Sequence, residues 1–453
     1  MKSGSMNQAE PWSRSEMALP PLADALAPAL ETLERALLRF AQLRPGLTTG
    51  RRPVHVLYGG AHLFKPRTLA RVKEIASAAL AAHAPDATTF AWALGLSLAP
   101  DAAARLRSRV VEKLAREPVE DYRIDFEDGY GVRPDSEEDG HAEAVGAALA
   151  EAGRQGALPP FIGIRIKSLV SPASARRSLR TLERVCLAAA PAGCPPGFAV
   201  TLPKVALPEQ VEVLVHALAA VEARCGWPDG SVALELMVET PQALVAPDGA
   251  MGLPRLLAAA GPRCRSLHLG PYDLSASLGI TGARQTLAHP ALDLARRLLV
   301  LATAGTAVSI SDGPTTVLPV APHRGEVLSR EEQAENRRAV HQGWRRTAED
   351  VKRALEDGVT QGWDLHPAQL PARFGALFSF FAAELEPAGA RLRAFLDRAA
   401  QATRLGAMFD DAATAQVLLN TFRRALACAA VTREEVERAT GLSVDQIAGM
   451  RFR

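Results

Sequence analysis

Apolar positions along this chain recur in two rhythms that take turns. Short, mostly apolar runs fall at 54–58, 122–126, 161–166, 198–205, 232–238, 266–270, 307–311 and 362–365, and each reads as a strand. Between them the apolar residues space out at three and four, predicting helices over 67–83, 101–115, 138–152, 173–189, 208–225, 291–304 and 330–356. Largely apolar strands are expected where helices cover a parallel sheet on its outer face. Eight β units with helices between them predict a (β/α)8 TIM barrel over residues 51–375, although a doubly wound sheet alternates in a similar way.

Flanking segments differ in rhythm. Residues 1–50 open polar and then carry Leu26, Leu30, Leu33 and Leu37 at helical spacing, predicting an amphipathic helix over 23–43 that ends at Pro45-Gly46 and packs on the main domain or on another subunit. Residues 376–453 form a C-terminal all-helical extension, with helices expected from 374 to 386, 388 to 404, 412 to 429 and 432 to 439. Thr432-x-x-Glu435 and Ser443-x-x-Gln446 have the form of capping boxes.

Strand ends carry the candidate chemistry. Gly59-Gly60, Asp125-Phe126-Glu127-Asp128-Gly129, Pro203-Lys204, Glu239-Thr240-Pro241, Gly270-Pro271-Tyr272-Asp273, Ser311-Asp312-Gly313-Pro314 and His366-Pro367 follow successive strands. In a barrel these ends converge on one face, where active sites are built. Glu239 and Asp273 end neighbouring strands, so their carboxylates are expected within reach of one cation. Mg2+ commonly takes one or two protein carboxylates and leaves its other positions to water and substrate. The plain alternative is that both residues cap the helices that follow. Arg165 lies inside the apolar run Phe161-Ile162-Gly163-Ile164-Arg165-Ile166 and needs a buried partner: a structural carboxylate, or a substrate oxyanion suited to its planar fork.

Composition narrows the field further. The 453 residues are 48% hydrophobic and hold 52 Lys+Arg against 50 Asp+Glu, a balance with no electrostatic case for nucleic acid or an anionic membrane as partner. Five cysteines without a CxxC pair fit free thiols in a reducing compartment rather than disulfides or zinc. No apolar stretch follows a basic start, and the most apolar run, 298–310, is too short to span a bilayer, so a cytoplasmic protein is expected. G-x-S-x-G, HExxH, P-loop and strand-linked G-x-G-x-x-G motifs are all absent. The segment 436–447 has a helix-turn-helix flavour but no basic face after it, and His268 on its apolar strand reads as a core histidine.

Taken in order, Arg165-Ile166-Lys167, Leu202-Pro203-Lys204-Val205, Val238-Glu239-Thr240-Pro241, Gly270-Pro271-Tyr272-Asp273 and His366-Pro367-Ala368-Gln369 resemble the citrate lyase β-subunit, malyl-CoA lyase and malate synthase superfamily over about residues 52 to 375. The resemblance implies Mg2+, or Mn2+ in its place, held by Glu239 and Asp273, and a substrate or enolate contacted by Arg165. It further implies substrate contacts from Lys204, Gly270, Pro271 and His366, with Asp125, Glu127 and Asp128 in support. Met408-Phe409-Asp410-Asp411-Ala412-Ala413-Thr414 resembles a malate synthase segment whose Asp removes a proton from the acetyl-CoA methyl, which implies that role for Asp411. Two departures stand out: Lys167 replaces the Asn of the family's R-x-N motif, and no CoA-binding residues map onto the chain. The expected activity is a metal-dependent carbon–carbon lyase or synthase acting on a 2-oxo acid, with acyl-CoA as a possible second substrate and a homo-oligomer as the expected assembly. A phosphoenolpyruvate-handling phosphotransferase or hydrolase on the same barrel is the nearest alternative, and a non-enzymatic binding module a further one.

Overall fold

A computed structural model describes residues 22–44, 50–325, 327–405 and 412–450. Eight parallel strands close on themselves in sequence order. They are β1 (His55–Gly60), β2 (Asp121–Asp125), β3 (Phe161–Arg165), β4 (Phe198–Leu202), β5 (Ala233–Val238), β6 (Cys264–Leu269), β7 (Ser309–Asp312) and β8 (Gln361–Asp364). Parallel neighbours need a crossover, and each gap supplies one, among them Thr68–His83, Asp135–Arg154, Pro172–Ala189, Pro208–Cys225, Pro290–Thr303 and Arg330–Glu356. The (β/α)8 barrel is the architecture that the alternating rhythms predict.

Polar and apolar residues divide between the two faces of the barrel wall. Ile124, Ile162, Ile164, Leu234, Leu236 and Leu267 are buried in the main apolar core with the helices. Their neighbours at period two, Asp121, Arg123, Asp125, Arg165, Glu235 and His268, are buried too, yet polar. Arg123 on β2 donates to both carboxylate oxygens of Glu235 on β5, at 2.9 and 2.8 Å. Those strands are not neighbours, so the pair crosses the barrel interior. Asp121 accepts from Arg123 at 2.8 Å and Thr201 donates to Glu235 at 2.8 Å, while Arg265 adds a 2.7 Å bond. Expected as mainly apolar runs, β2, β3, β5 and β6 instead alternate, because a barrel wall faces apolar helices outside and an ion-paired interior inside.

The C-terminal region departs from expectation at one point. Leu370–Leu405 is one helix of 36 residues, continuous through Pro387, where the sequence predicts a break. Proline removes a backbone donor and crowds the preceding turn. Here Phe374, Leu377, Phe381, Ala388 and Leu392 are buried on both sides of Pro387, and that packing holds the helix together. Ala412–Ala427, Arg433–Thr440 and Val444–Gly449 follow, the last two opened by the expected capping boxes. Val436 and Ile447 are buried, so this helix pair packs as core.

The N-terminal helix forms as Ala27–Leu43, preceded by a single turn, Leu22–Ala25. Its apolar stripe is not covered: Leu26, Leu30, Leu33 and Leu37 are all exposed. Among the described residues no helix is long and apolar enough to cross a membrane, and all five cysteines are free.

Candidate functional site

At the C-terminal mouth of the barrel, Arg165 ends β3 and is only 2% exposed. Asp125, its register partner on β2, takes its guanidinium in a two-pronged grip: Nε to Oδ1 at 2.7 Å and Nη2 to Oδ2 at 2.5 Å. Backbone N–H groups of Glu127 and Gly129 donate to the same carboxylate at 2.9 and 2.7 Å, so the strand-2 loop folds around Asp125. Burial works against the arginine's charge, but Asp125 and Glu127 more than offset it and raise its pKa. The rings of Tyr58 and Trp363 face the guanidinium at 5.2 and 5.4 Å from its carbon, and Met237 Sδ lies 3.7 Å from Nη1. A bidentate carboxylate, two aromatic faces and a wall of apolar atoms leave this arginine little freedom.

Beside it stands an acidic cluster with a lysine at its centre. The Lys204 ammonium pairs with Glu127, lies 3.4 Å from Asp128 Oδ1 and 3.7 Å from Asp273 Oδ2. Its backbone N–H donates to Glu239 Oε1 at 2.6 Å. Lys204 has φ +51°, a left-handed conformation that a side-chain-bearing residue seldom takes and that here turns the ammonium into the cluster. Burial opposes its charge, and the surrounding carboxylates raise its pKa despite that.

Both capping alternatives fail. The helix Pro241–Leu244 is capped by Thr240, whose hydroxyl accepts from the Ala243 N–H, leaving Glu239 for the mouth. Asp273 sits in the first turn of Pro271–Ser277, which has no side-chain cap. Glu239 is 2% exposed, and burial, reinforced by Glu127 and Asp273 and opposed by Lys204, pushes its carboxyl up to about 8. Gly270 is the floor under it: a Cβ there would stand 2.4 Å from Glu239 Oε2. The glycine of the strand-6 motif therefore makes room for the glutamate of the strand-5 motif.

Among the described residues no three acidic, His or Cys side chains stand in metal-binding geometry as they are. The donor set nevertheless suits a divalent cation. Among the described residues the cations paired with Asp125, Glu127, Asp128 and Asp273 are Arg165 and Lys204, so acidic groups outnumber basic ones at the mouth. Glu127 Oε2 is buried without a hydrogen bond, 3.2 Å from Arg165 Nη1, and burial with Glu127 and Asp273 close by disfavours the charged form of Glu239.

Other expected residues have plainer positions. His366 accepts the Ala368 N–H at 3.2 Å and so caps Pro367–Gln369, and burial together with Arg324 lowers its pKa. Pro271 opens the helix that carries Asp273 and packs against Gly313. Lys167 turns from the mouth, donating to the Phe126 carbonyl at 2.8 Å and pairing with Glu138. His268 is buried between the Tyr58 hydroxyl and Glu235, as a core histidine. Asp411 lies outside the described residues. The helix that follows it, Ala412–Ala427, packs at the opposite end of the barrel, where the Ala427 carbonyl accepts the Arg52 N–H just before β1. Tyr58, Met237 and Trp363 were not foreseen; the signal was there in the period-two alternation of β1, β5 and β8, which aims them inward with Val56.

The structure is thus a closed parallel (β/α)8 barrel with a C-terminal helical extension. The chain itself belongs to the family described as Domain of unknown function (DUF6986), whose model matches residues 33–453. Its structure is similar to that of a citrate lyase from Burkholderia xenovorans LB400, at 20% identity and a TM-score of 0.54, covering 86% of this chain and 98% of that one. A fainter likeness reaches a Haloferax volcanii malate synthase, at 16% identity and a TM-score of 0.46 over 72% and 76% of the two chains. The citrate lyase beta subunit of M. tuberculosis complexed with oxaloacetate and magnesium is similar at 17% identity and a TM-score of 0.38, over 72% and 96%. A comparison with curated protein sequences finds no match. At 20% identity the likeness to the Burkholderia protein speaks for the fold alone.

Proposed function

We propose that this protein is a divalent-metal-dependent enzyme that makes or breaks a carbon–carbon bond next to a 2-oxo acid. The observation that carries the reading is the gathering of Glu127, Asp128 and Asp273 around the Lys204 ammonium, with Glu239 on the Lys204 backbone N–H, beside a buried and rigidly held arginine. Glu239 and Asp273 would hold Mg2+, with Mn2+ as a substitute, and a bound ion there supplies Lewis-acid polarisation of a keto oxygen. The ordered motifs that resemble the citrate lyase and malate synthase superfamily support the same assignment.

The chain's own residues define the remaining chemistry. Asp125 and the Tyr58 and Trp363 rings fix Arg165, so its Nη1 is already oriented when negative charge develops on a substrate oxygen, and no reorganisation is needed at that moment. The same two rings with Met237 keep water from the floor of the pocket. Lys204 can move from Glu127 to a substrate carboxylate, since its flexible stem carries a point charge. Glu127, whose carboxyl burial raises, is placed to exchange a proton between its own oxygen and a substrate at the mouth. Asp411 lies outside the described residues and receives no step here.

The test is direct. Purified protein with Mg2+ is assayed for condensation and cleavage against glyoxylate, pyruvate and oxaloacetate, with and without acyl-CoA, before and after exhaustive EDTA treatment. Activity that appears with Mg2+ or Mn2+ and vanishes on chelation is the expected result; turnover indifferent to metal removal would sink the proposal.

A further inference from the structure

We infer that the N-terminal helix Ala27–Leu43 is the surface by which this chain pairs with a second copy of itself, the two helices running antiparallel. Every residue from 26 to 42 is exposed, so neither side of the helix is buried against the barrel. A helix of 17 residues owes most of its stability to a packed apolar face, and alone in water it is marginal. Among the described residues nothing covers that face, and a second copy would.

The row of apolar side chains has the form of a self-complementary seam. Leu26, Leu30, Leu33, Leu37 and Phe40 are 46 to 59% exposed and follow at steps of four, three, four and three. A mean step of about 3.5 keeps them in line with a partner helix, as in a coiled coil, where the complement of one seam is another. Ala27, Ala29, Ala36 and Ala41 flank the row, and their small side chains let two helix axes approach closely. Leu38, also exposed, widens the stripe on one side.

Charge selects the second copy and its direction. Asp24, Glu31 and Glu34 all precede Arg35, Arg39 and Arg44, so the segment 22–44 is acidic in its first half and basic in its second. Laid parallel, two copies would set like charge beside like; laid antiparallel, each acidic half meets a basic one. The antiparallel arrangement also fits the seam. A two-fold axis beside Arg35 sets Leu30 against Phe40 of the second copy and Leu33 against its Leu37, and brings Glu31 level with its Arg39. A membrane surface suits this helix less well, because interfacial helices present a basic polar face and here three acids balance three bases. The pairing is independent of the chemistry at the mouth.

The experiment is sedimentation velocity of the full chain over about a hundredfold range of concentration. Wild-type protein should self-associate, and Leu33→Lys combined with Leu37→Lys should abolish that association step. The Tm of this variant, measured at a concentration where the wild type is dissociated, should equal that of the wild type, since both side chains are exposed in the single chain. Glu31→Arg with Glu34→Arg should weaken pairing about tenfold, as exposed pairs between the copies turn from attraction to repulsion. Adding Arg35→Glu and Arg39→Glu should restore it, although the reversed charges now oppose the helix dipole, so a mere loss of helix stability would not give this recovery. A wild type that stays monomeric at the highest concentration overturns the inference. So does a Leu33→Lys/Leu37→Lys variant that associates as tightly as wild type, or a wild type that binds anionic lipid vesicles and does not self-associate. Pairing unchanged by Glu31→Arg with Glu34→Arg overturns the antiparallel assignment.

Discussion

Glu239→Gln converts the buried carboxyl at the mouth into a neutral amide of the same shape, and its consequence for stability has a definite sign. The native carboxyl titrates at about 8, against an ordinary value of 4.5. Between those values the folded chain keeps a proton that the unfolded chain has released, so stability falls as pH rises, by up to about 1.4 kcal/mol per pH unit. From pH 5 to pH 8 the loss amounts to about 3 to 4 kcal/mol, undiminished by solvent screening because the side chain is buried. The amide has no proton to lose and lacks this slope. Urea unfolding of wild type and Glu239→Gln in EDTA at pH 5, 6, 7 and 8 should therefore give curves that diverge, with the variant gaining on the wild type by that amount at the alkaline end. Parallel curves would refute the reasoning, since the carboxylate would then be at ease in its charged form. Saturating Mg2+ should flatten the wild-type slope, and at pH 7 metal binding should release about nine-tenths of a proton, read from titrations in buffers of different ionisation enthalpy.

Three more predictions address the same pocket. Gly270→Ala forces a Cβ to within 2.4 Å of Glu239 Oε2, so it should cost about 1–3 kcal/mol in urea unfolding and weaken Mn2+ binding at least tenfold; a variant that binds Mn2+ normally would show the two motifs to be uncoupled. Lys204→Met removes the ammonium from among the carboxylates, and calorimetry should show divalent affinity rising about tenfold, equivalent to about 1.4 kcal/mol; weaker binding would mean that Lys204 positions the ligands instead of competing with the ion. Asp125→Asn breaks a buried pair in which both partners are nearly inaccessible, and should cost about 3–5 kcal/mol with loss of turnover, checked by thermal unfolding and steady-state kinetics.

Strand positions were legible because each β run is short, apolar on its outer face and bounded by helical spacing. The expected 54–58 became His55–Gly60, and 208–225 and 330–356 match their helices end to end. What the runs concealed was their inner face. In Asp121-Tyr122-Arg123-Ile124-Asp125 and Glu235-Leu236-Met237-Val238-Glu239 every second residue points into the barrel, and the polar ones only make sense as pairs that meet across it. A pair between β2 and β5 depends on closure, which no local pattern encodes. Pro387 is a similar case: the local rule for proline is sound, and the buried residues on either side of it override that rule.

The candidate site shows the same division between residue type and placement. Glu239, Asp273 and Arg165 lie at strand ends, where topology alone carries them to one mouth, so a strand register was enough to find them. Asp411 depends on a helical path instead. Leu370–Leu405 begins just after β8 at the mouth and runs 36 residues, about 54 Å at 1.5 Å per residue, well beyond the length of any barrel strand. The next helix returns only as far as the N-terminal ends of the strands, where Arg52, Ser309 and Thr360 meet Gln416 and Asn420. Asp411 itself lies outside the described residues, so its match in the tail is one of residue identity, whereas a match at a barrel strand end carries position as well.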